Sequence, residues 1–167
     1  TRAGQLGSQS ISNTVLVHQG NNDIRGNWQV NGLNQYNSIN GNSYVYDDNG
    51  NLETADGTTY TYDSENRLKT ASGIKNVTLS YDPMGRLLSK VSGGITRNYL
   101  YSGDALVAEY EGTTLKKRYI HGPGIDNPMV EYNGSSVSQA NRRFYHSNHQ
   151  GSIIAMTDYG GAAIETN

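Results

Sequence analysis

Cysteine is absent from the 167 residues. Its absence excludes a disulfide framework, thiol catalysis and thiolate metal sites together, while leaving the compartment open. Charge is also sparse. Only 17% of residues are charged and the formal net charge is −2, so there is neither a basic field to gather phosphates nor an acidic tail. Nucleic acid is not an expected partner. No apolar run approaches the roughly 20 residues that span a bilayer, so no membrane span is expected. The opening TRAGQLGSQS lacks the charged start and apolar stretch of a signal peptide. The start at Thr1 and the end at Asn167, straight after a strand-like run, read as cuts within a longer chain whose export signal would lie elsewhere.

The hydrophobic fraction, 34%, is low for a chain that must bury a core. Tyrosine compensates. Thirteen tyrosines stand against one tryptophan and one phenylalanine, with twenty glycines and three prolines. A tyrosine ring is apolar on its faces and polar at its tip, so this composition predicts amphipathic sheet with frequent turns. Nothing in the chain sustains a helical period.

The tyrosines are periodic. YVYDDNGNL (Tyr44 to Leu52), YTYDSENRL (Tyr60 to Leu68) and LSYDPMGRL (Leu79 to Leu87) align without gaps. YLYSGDAL (Tyr99 to Leu106) and YIHGPG (Tyr119 to Gly124) keep the opening and lose the aspartate. The second aromatic position falls at Tyr46, Tyr62, Tyr81, Tyr101 and His121, in steps of 16, 19, 20 and 20 residues. In a strand, residues two apart share a face, so Tyr44 with Tyr46, Tyr60 with Tyr62 and Tyr99 with Tyr101 form aromatic pairs. Each strand then meets a turn. Asp82-Pro83-Met84-Gly85 has type I preferences, and Asp47-Asp48-Asn49-Gly50 fits the same template. In Asp63-Ser64-Glu65-Asn66 the last place is asparagine, which also tolerates left-handed geometry. A second short strand follows from Arg67-Leu68 and Arg86-Leu87, ending at turn signals Ser72-Gly73 and Gly93-Gly94. One unit of about 20 residues is therefore one hairpin, and because a lone hairpin is marginal, the copies must pair edge to edge.

The flanks are less regular. Asn31-Gly32, Asn40-Gly41 and Asn49-Gly50 are available as hairpin turns around runs such as Trp28-Gln29-Val30. Downstream, Arg143 to His146 and Ser152 to Met156 read as strands linked by SNHQG, with a closing turn at Asp158-Tyr159-Gly160-Gly161. Three segments result: an irregular Asn/Gly-rich β segment over 1–43, the repeats over 44–124, and a terminal segment over 125–167. All are read as one continuous sheet fragment.

At these residues the chain resembles the RHS and YD-repeat family. The run GDALVAEYEGTTLKKRYIHGPG (Gly103 to Gly124) and the later FYHSNHQGSIIAMTD look like the final part of a bacterial RHS core, where a YHxDHxGS-like segment closes the series. Asn148 stands where that pattern has aspartate. Together these motifs cover about two-thirds of the chain. The resemblance implies an all-β, repetitive antiparallel hairpin strip that spirals into a hollow shell around a toxic C-terminal domain. Related spirals occur in insecticidal toxin complexes and, more loosely, in teneurin ectodomains. On that reading Tyr44, Tyr46, Asp47, Gly50, Tyr60, Tyr62, Asp63, Tyr81, Asp82, Gly85, Tyr99 and Tyr101 are wall material. The bacterial core ends in a DPxGLxGG-type motif at which the chain cleaves itself, and no such motif occurs between Thr1 and Asn167.

His146-x-x-His149, with His121 and Asp126 nearby, could suggest zinc, but residues three apart on a strand face opposite ways, so turn or wall histidines are expected instead. The repeated aspartates suit turn capping better than paired-carboxylate catalysis. Arg67 and Arg86 recur after the turn and could bridge to neighbouring turn aspartates. Trp28 with Tyr36 is the best platform for a glycan contact. Asn76-Val77-Thr78 and Asn133-Gly134-Ser135 match glycosylation sequons, which matter only in a eukaryotic secretory protein.

The expectation is a non-enzymatic segment of a bacterial secreted or cell-surface shell. It has no catalytic, cofactor-binding or metal residues. Its partners are other YD repeats of the parent chain, a toxin cargo domain or identical copies, and glycans. The alternative is a self-assembling extracellular filament or a carbohydrate-binding adhesin surface.

Overall fold

A computed structural model describes residues 26–166. The first part of the segment expected over 1–43 lies outside the described residues. Those residues fall into two compact units, 26–115 and 116–166. The first contains β1 (Trp28–Val30), β2 (Tyr36–Ile39), β3 (Asn42–Tyr46), β4 (Leu52–Ala55), β5 (Thr58–Tyr62), β6 (Leu68–Gly73), β7 (Val77–Tyr81), β8 (Leu87–Ser92), β9 (Ile95–Ser102) and β10 (Ala105–Glu111). β11 (Thr114–His121) runs across the boundary. β12 (Pro128–Asn133), β13 (Arg142–Ser147), β14 (Ile153–Asp158) and β15 (Ala163–Thr166) complete the second. Within each unit every strand is antiparallel to the next along the chain. The chain is all-β, as its repeat predicts, and the only helical turn among the described residues is a 3-10 turn at Gln139–Asn141.

Burial follows the period of two. In β5 the tyrosines Tyr60 and Tyr62 are half-buried while Thr59 and Thr61 are exposed. Tyr44 lies opposite Ala55, and Tyr60 opposite Ala71. These alanines are small, and at 4% and 5% exposure they belong to the few fully buried apolar residues. The core of the strip is therefore tyrosine beside alanine on one face, each half-buried ring contributing on the order of 1–2 kcal/mol of apolar burial. The opposite face pairs hydroxyls across strands: Thr61 with Thr70 and Ser80 with Ser89, both at 2.6 Å.

Turn chemistry alternates along the first unit. Two-residue turns at Asn40-Gly41, Asp56-Gly57 and Gly93-Gly94 have positive φ at both positions, the geometry that matches strand twist. Longer loops close the other end of the hairpins β3–β4, β5–β6 and β7–β8, whereas β9 and β10 are joined by only Gly103-Asp104. Opposite the second tyrosine of each hairpin the register slips by one residue, at Val45/Tyr46, Thr61/Tyr62 and Ser80/Tyr81, a recurring β-bulge.

Two local expectations are corrected. Ser72-Gly73 is not a turn; both residues end β6, and the chain reverses over 74–76. Asn31-Gly32 is not a two-residue turn either. It opens a five-residue loop, because Asn31 pairs with Gln35 and the left-handed position is Asn34.

Candidate functional site

The motif residues build one recurring device. In the loop of Asp82, its backbone N–H donates to Arg86 O at 2.9 Å, and Gly85 N–H returns to Asp82 O at 2.9 Å. Oδ1 of Asp82 accepts the amides of Met84 and Arg86 at 2.9 and 3.0 Å. One carboxylate oxygen thus satisfies two amides that the tight loop leaves without strand partners. Asp63 and Asp47 do the same, with Oδ1 accepting from Glu65 and Arg67, and from Asn49 and Asn51. The fourth residue of the loop is left-handed every time: Gly50, Asn66 and Gly85 have φ of 83°, 59° and 81°.

The second carboxylate oxygen holds the fifth residue. Arg67 Nε donates to Asp63 Oδ2 at 2.8 Å, Arg86 Nε to Asp82 Oδ2 at 2.7 Å, and Asn51 Nδ2 to Asp47 Oδ2 at 2.9 Å. Each arginine therefore binds the aspartate of its own turn, which corrects the expectation of bridges to neighbouring turns. Its outer face reaches the next unit instead. Arg67 lies 4.9 Å from the Tyr81 ring centroid and Arg86 4.8 Å from that of Tyr101. Arg86 also donates to the carbonyl of Gly103.

The tyrosine hydroxyls run the other way. Tyr62 donates to Leu52 O at 2.9 Å, Tyr81 to Leu68 O at 2.8 Å and Tyr101 to Leu87 O at 3.0 Å. In each case the acceptor is the leucine that follows the turn of the preceding unit. Tyr44 differs, donating to Asp56 at 2.9 Å. Tyr99 stands opposite Glu109.

Electrostatics follow from these bonds. The Asn51 amide and the loop amides hold Asp47 below the ordinary carboxylate range, and the Arg67 backbone and side chain do so for Asp63. At Asp82 burial pushes upward, and the Arg86 side chain with the loop amides outweighs it, so the net shift is down. Burial raises Tyr62, Tyr99 and Tyr101. None of these shifts creates a proton donor or acceptor poised near neutrality.

Three further loops share the design, and sequence reading passed over their equivalence. Asn31 accepts from Leu33 and Gln35, Asn148 accepts from Gln150 and Ser152, and Asp158 accepts from Ala162. Their left-handed positions are Asn34, Gly151 and Gly161. The signal available was an Asx residue with Gly or Asn three residues later. Asn148 keeps the Oδ1 bonds, so asparagine can stand in the aspartate's place.

The second unit adds two clusters that sequence gave no sign of. Glu131, 1% exposed, accepts from Lys117 Nζ at 3.0 Å and from Tyr145 Oη at 2.5 Å. On the other face Tyr132 lies between Arg118 and Arg142, whose guanidinium carbons are 5.9 and 5.3 Å from its ring centre, and Arg142 also covers Tyr159 at 5.6 Å. The histidines are separated in role. His146 Nε2 bonds Thr157 Oγ1 at 2.9 Å within β13 and β14, whereas His149 sits exposed in the Asn148 loop. Among the described residues no three His, Asp or Glu side chains converge to hold a metal. Trp28 and Tyr36 do meet, with ring centroids 5.2 Å apart and planes tilted by 55°, and both are more than 40% exposed. Asn76 of the first sequon bonds the backbone of Gly73 through both ends of its amide.

Fold and bonding define a class: an all-β protein of repeated antiparallel hairpins, three of them tied to the one before through the hydroxyls of Tyr62, Tyr81 and Tyr101. Comparison with known proteins narrows it. The chain is 33% identical over 146 residues to tRNA3(Ser)-specific nuclease WapA of Bacillus spizizenii and 34% identical to tRNA nuclease WapA of Bacillus subtilis, matching 83% of its own length in both. The tRNA(Glu)-specific nuclease WapA of Bacillus subtilis subsp. natto is similar at 33%. The chain spans 6% of the length of these relatives. Solved structures of TcdB2-TccC3-TEV and TcdB2-TccC3-Cdc42 match 69% and 75% of this chain and 7% and 8% of theirs, both at 15% identity, with TM-scores of 0.48 and 0.49. No protein-family model matches the chain. The relatives fit RHS/YD repeats; they do not single out the C-terminal part of an RHS core.

Proposed function

We propose that this chain is a non-enzymatic wall segment of a secreted or cell-surface bacterial shell of RHS type, from the C-terminal part of its core, which encloses a toxin cargo. The observation that carries this reading is where the motif residues spend their bonds. Asp63 and Asp82 are consumed by their own loops, Arg67 and Arg86 by those aspartates and the next tyrosine, and the hydroxyls of Tyr62, Tyr81 and Tyr101 by the preceding unit. The groups that repeat are used to join repeats, which is what a wall requires. The matched stretch is 6% of the length of the relatives named as nucleases, which leaves most of their length for that activity. The segments 44–124 and 125–167 then form successive parts of one wall, with 1–43 leading in.

The test is protease protection of the full-length natural protein. If the cargo resists protease until the shell is opened by denaturant, the enclosure reading stands; a cargo cut as fast as a free domain overturns it. A second reading rests on the exposed pair Trp28 and Tyr36, whose rings would stack on a sugar. Glycan-array binding lost in Trp28→Ala supports an adhesive surface, and binding unchanged in that variant removes this pair from it.

A further inference from the structure

The chain holds four Asn-Gly pairs: Asn31-Gly32, Asn40-Gly41, Asn49-Gly50 and Asn133-Gly134. Such pairs can convert without an enzyme, because glycine carries no side chain to shield its amide nitrogen from the preceding asparagine. In the fold three of them have the glycine amide or the asparagine Nδ2 engaged. The Gly50 amide donates to Asp47 O at 2.9 Å and the Gly134 amide to Lys116 O at 2.6 Å, so both nucleophiles are engaged. Asn31 is held at its leaving group, Nδ2 donating to Gln35 Oε1 at 2.8 Å.

Asn40 has neither protection. It is exposed in a two-residue turn with φ of 51°, and among the described residues the Gly41 amide has no acceptor and the Asn40 Nδ2 leaving group no partner. Its Oδ1 accepts the Asn27 N–H at 2.9 Å, where negative charge collects when the amide carbon is attacked. The turn also lies at the edge of its unit, beside the three-residue strand β1, every residue of which is exposed. Opening there costs little.

We propose that Asn40-Gly41 is a self-modification site, at which this turn converts to aspartate and isoaspartate with water as the co-reactant. The Gly41 nitrogen gives its proton to solvent base and attacks Asn40 Cγ; the Cγ–Nδ2 bond breaks and ammonia leaves, closing a five-membered imide. Water then opens the imide. Breaking the bond from the Gly41 nitrogen to Cγ yields aspartate, and breaking its bond to the Asn40 main-chain carbonyl yields isoaspartate. No oxidation is involved. Isoaspartate adds a methylene to the main chain, which a two-residue turn cannot absorb in register, so the bonds between Asn27 and Asn40 are lost and β1 with β2 is released from β3.

Peptide mapping of the whole chain after incubation at mildly alkaline pH, folded and in denaturant, tests this. In denaturant all four pairs convert at similar rates. In the folded chain Asn40 keeps that rate to within a few-fold, while Asn31, Asn49 and Asn133 slow by about tenfold or more. Asn27→Pro removes the N–H and slows conversion at Asn40, with unchanged protection of Asn49 and Asn133 reporting that the rest stays folded. Protection of Asn40 equal to that of the other three, or exposure of any of those to the same degree, overturns the proposal.

Discussion

The guanidinium of Arg67 rests 4.9 Å over the ring of Tyr81, one repeat further along the chain, while its Nε is held at 2.8 Å by Asp63 of its own turn. Asp63 aims the arginine, and the arginine covers the next tyrosine. Arg67→Ala is expected to lower the urea midpoint more than Arg67→Lys, because lysine keeps a charge near the ring and loses the planar fork that Asp63 orients. Equal midpoints for the two variants would mean that a charge near the ring contributes nothing by itself, and an Arg67→Lys midpoint equal to the parent's would mean that the planar stack contributes nothing beyond the charge.

The tyrosine hydroxyls make a sharper test. Tyr62→Phe, Tyr81→Phe and Tyr101→Phe each strip one bond from a leucine carbonyl of the preceding unit, and each is expected to cost about 1 kcal/mol in equilibrium unfolding. Tyr60 serves as the control. No hydroxyl bond ties it to the preceding unit, and Tyr60→Phe is expected to be near neutral.

Asn148 shows that an asparagine keeps the Oδ1 bonds of the loop. Asp82→Asn is therefore expected to destabilise less than Asp82→Ala, its loss being confined to the contact with Arg86. The pH dependence has a definite sign. Asp47, Asp63 and Asp82 are lowered in the fold, so the stability they supply is present above the unfolded carboxylate value near 4 and is lost as pH falls through their lower folded values. Tyr62, Tyr99 and Tyr101 are raised, so their contribution is present below about 10 and is lost as pH rises through their folded values. Unfolding followed by circular dichroism should show a plateau between these two flanks. The triple variant Asp47→Asn/Asp63→Asn/Asp82→Asn should flatten the acid side alone.

Gly85 has a φ of 81°, where a side chain is strained, but Asn66 occupies the equivalent place at 59°. Gly85→Asn is expected to cost less than Gly85→Ala, the latter by about 1 kcal/mol. Thermal melts of the two variants check the order.

These details divide by how they are encoded. Alternating tyrosines and the Asp-x-x-Gly turn are written in side chains, so the strands around Tyr44, Tyr60 and Tyr81 were legible, as was the hairpin unit. The tie from Tyr81 to Leu68 was not, because its acceptor is a backbone carbonyl that leaves no mark in the sequence. The Asn31 loop was obscured because Val30 stands where the tyrosine would be, and the burial of Glu131 depends on strands that bring Lys117 and Tyr145 to it from 14 residues away on either side. Ser72-Gly73 misled for the opposite reason. Its composition is that of a turn, yet pairing with Thr58 and Thr59 draws both residues into β6.

On the proposed function the repeats make a wall and the wall encloses a cargo, which electron microscopy of the full-length natural protein would show. Closed hollow particles with density inside are the expected result; continuous fibres would contradict it and make self-assembly the function.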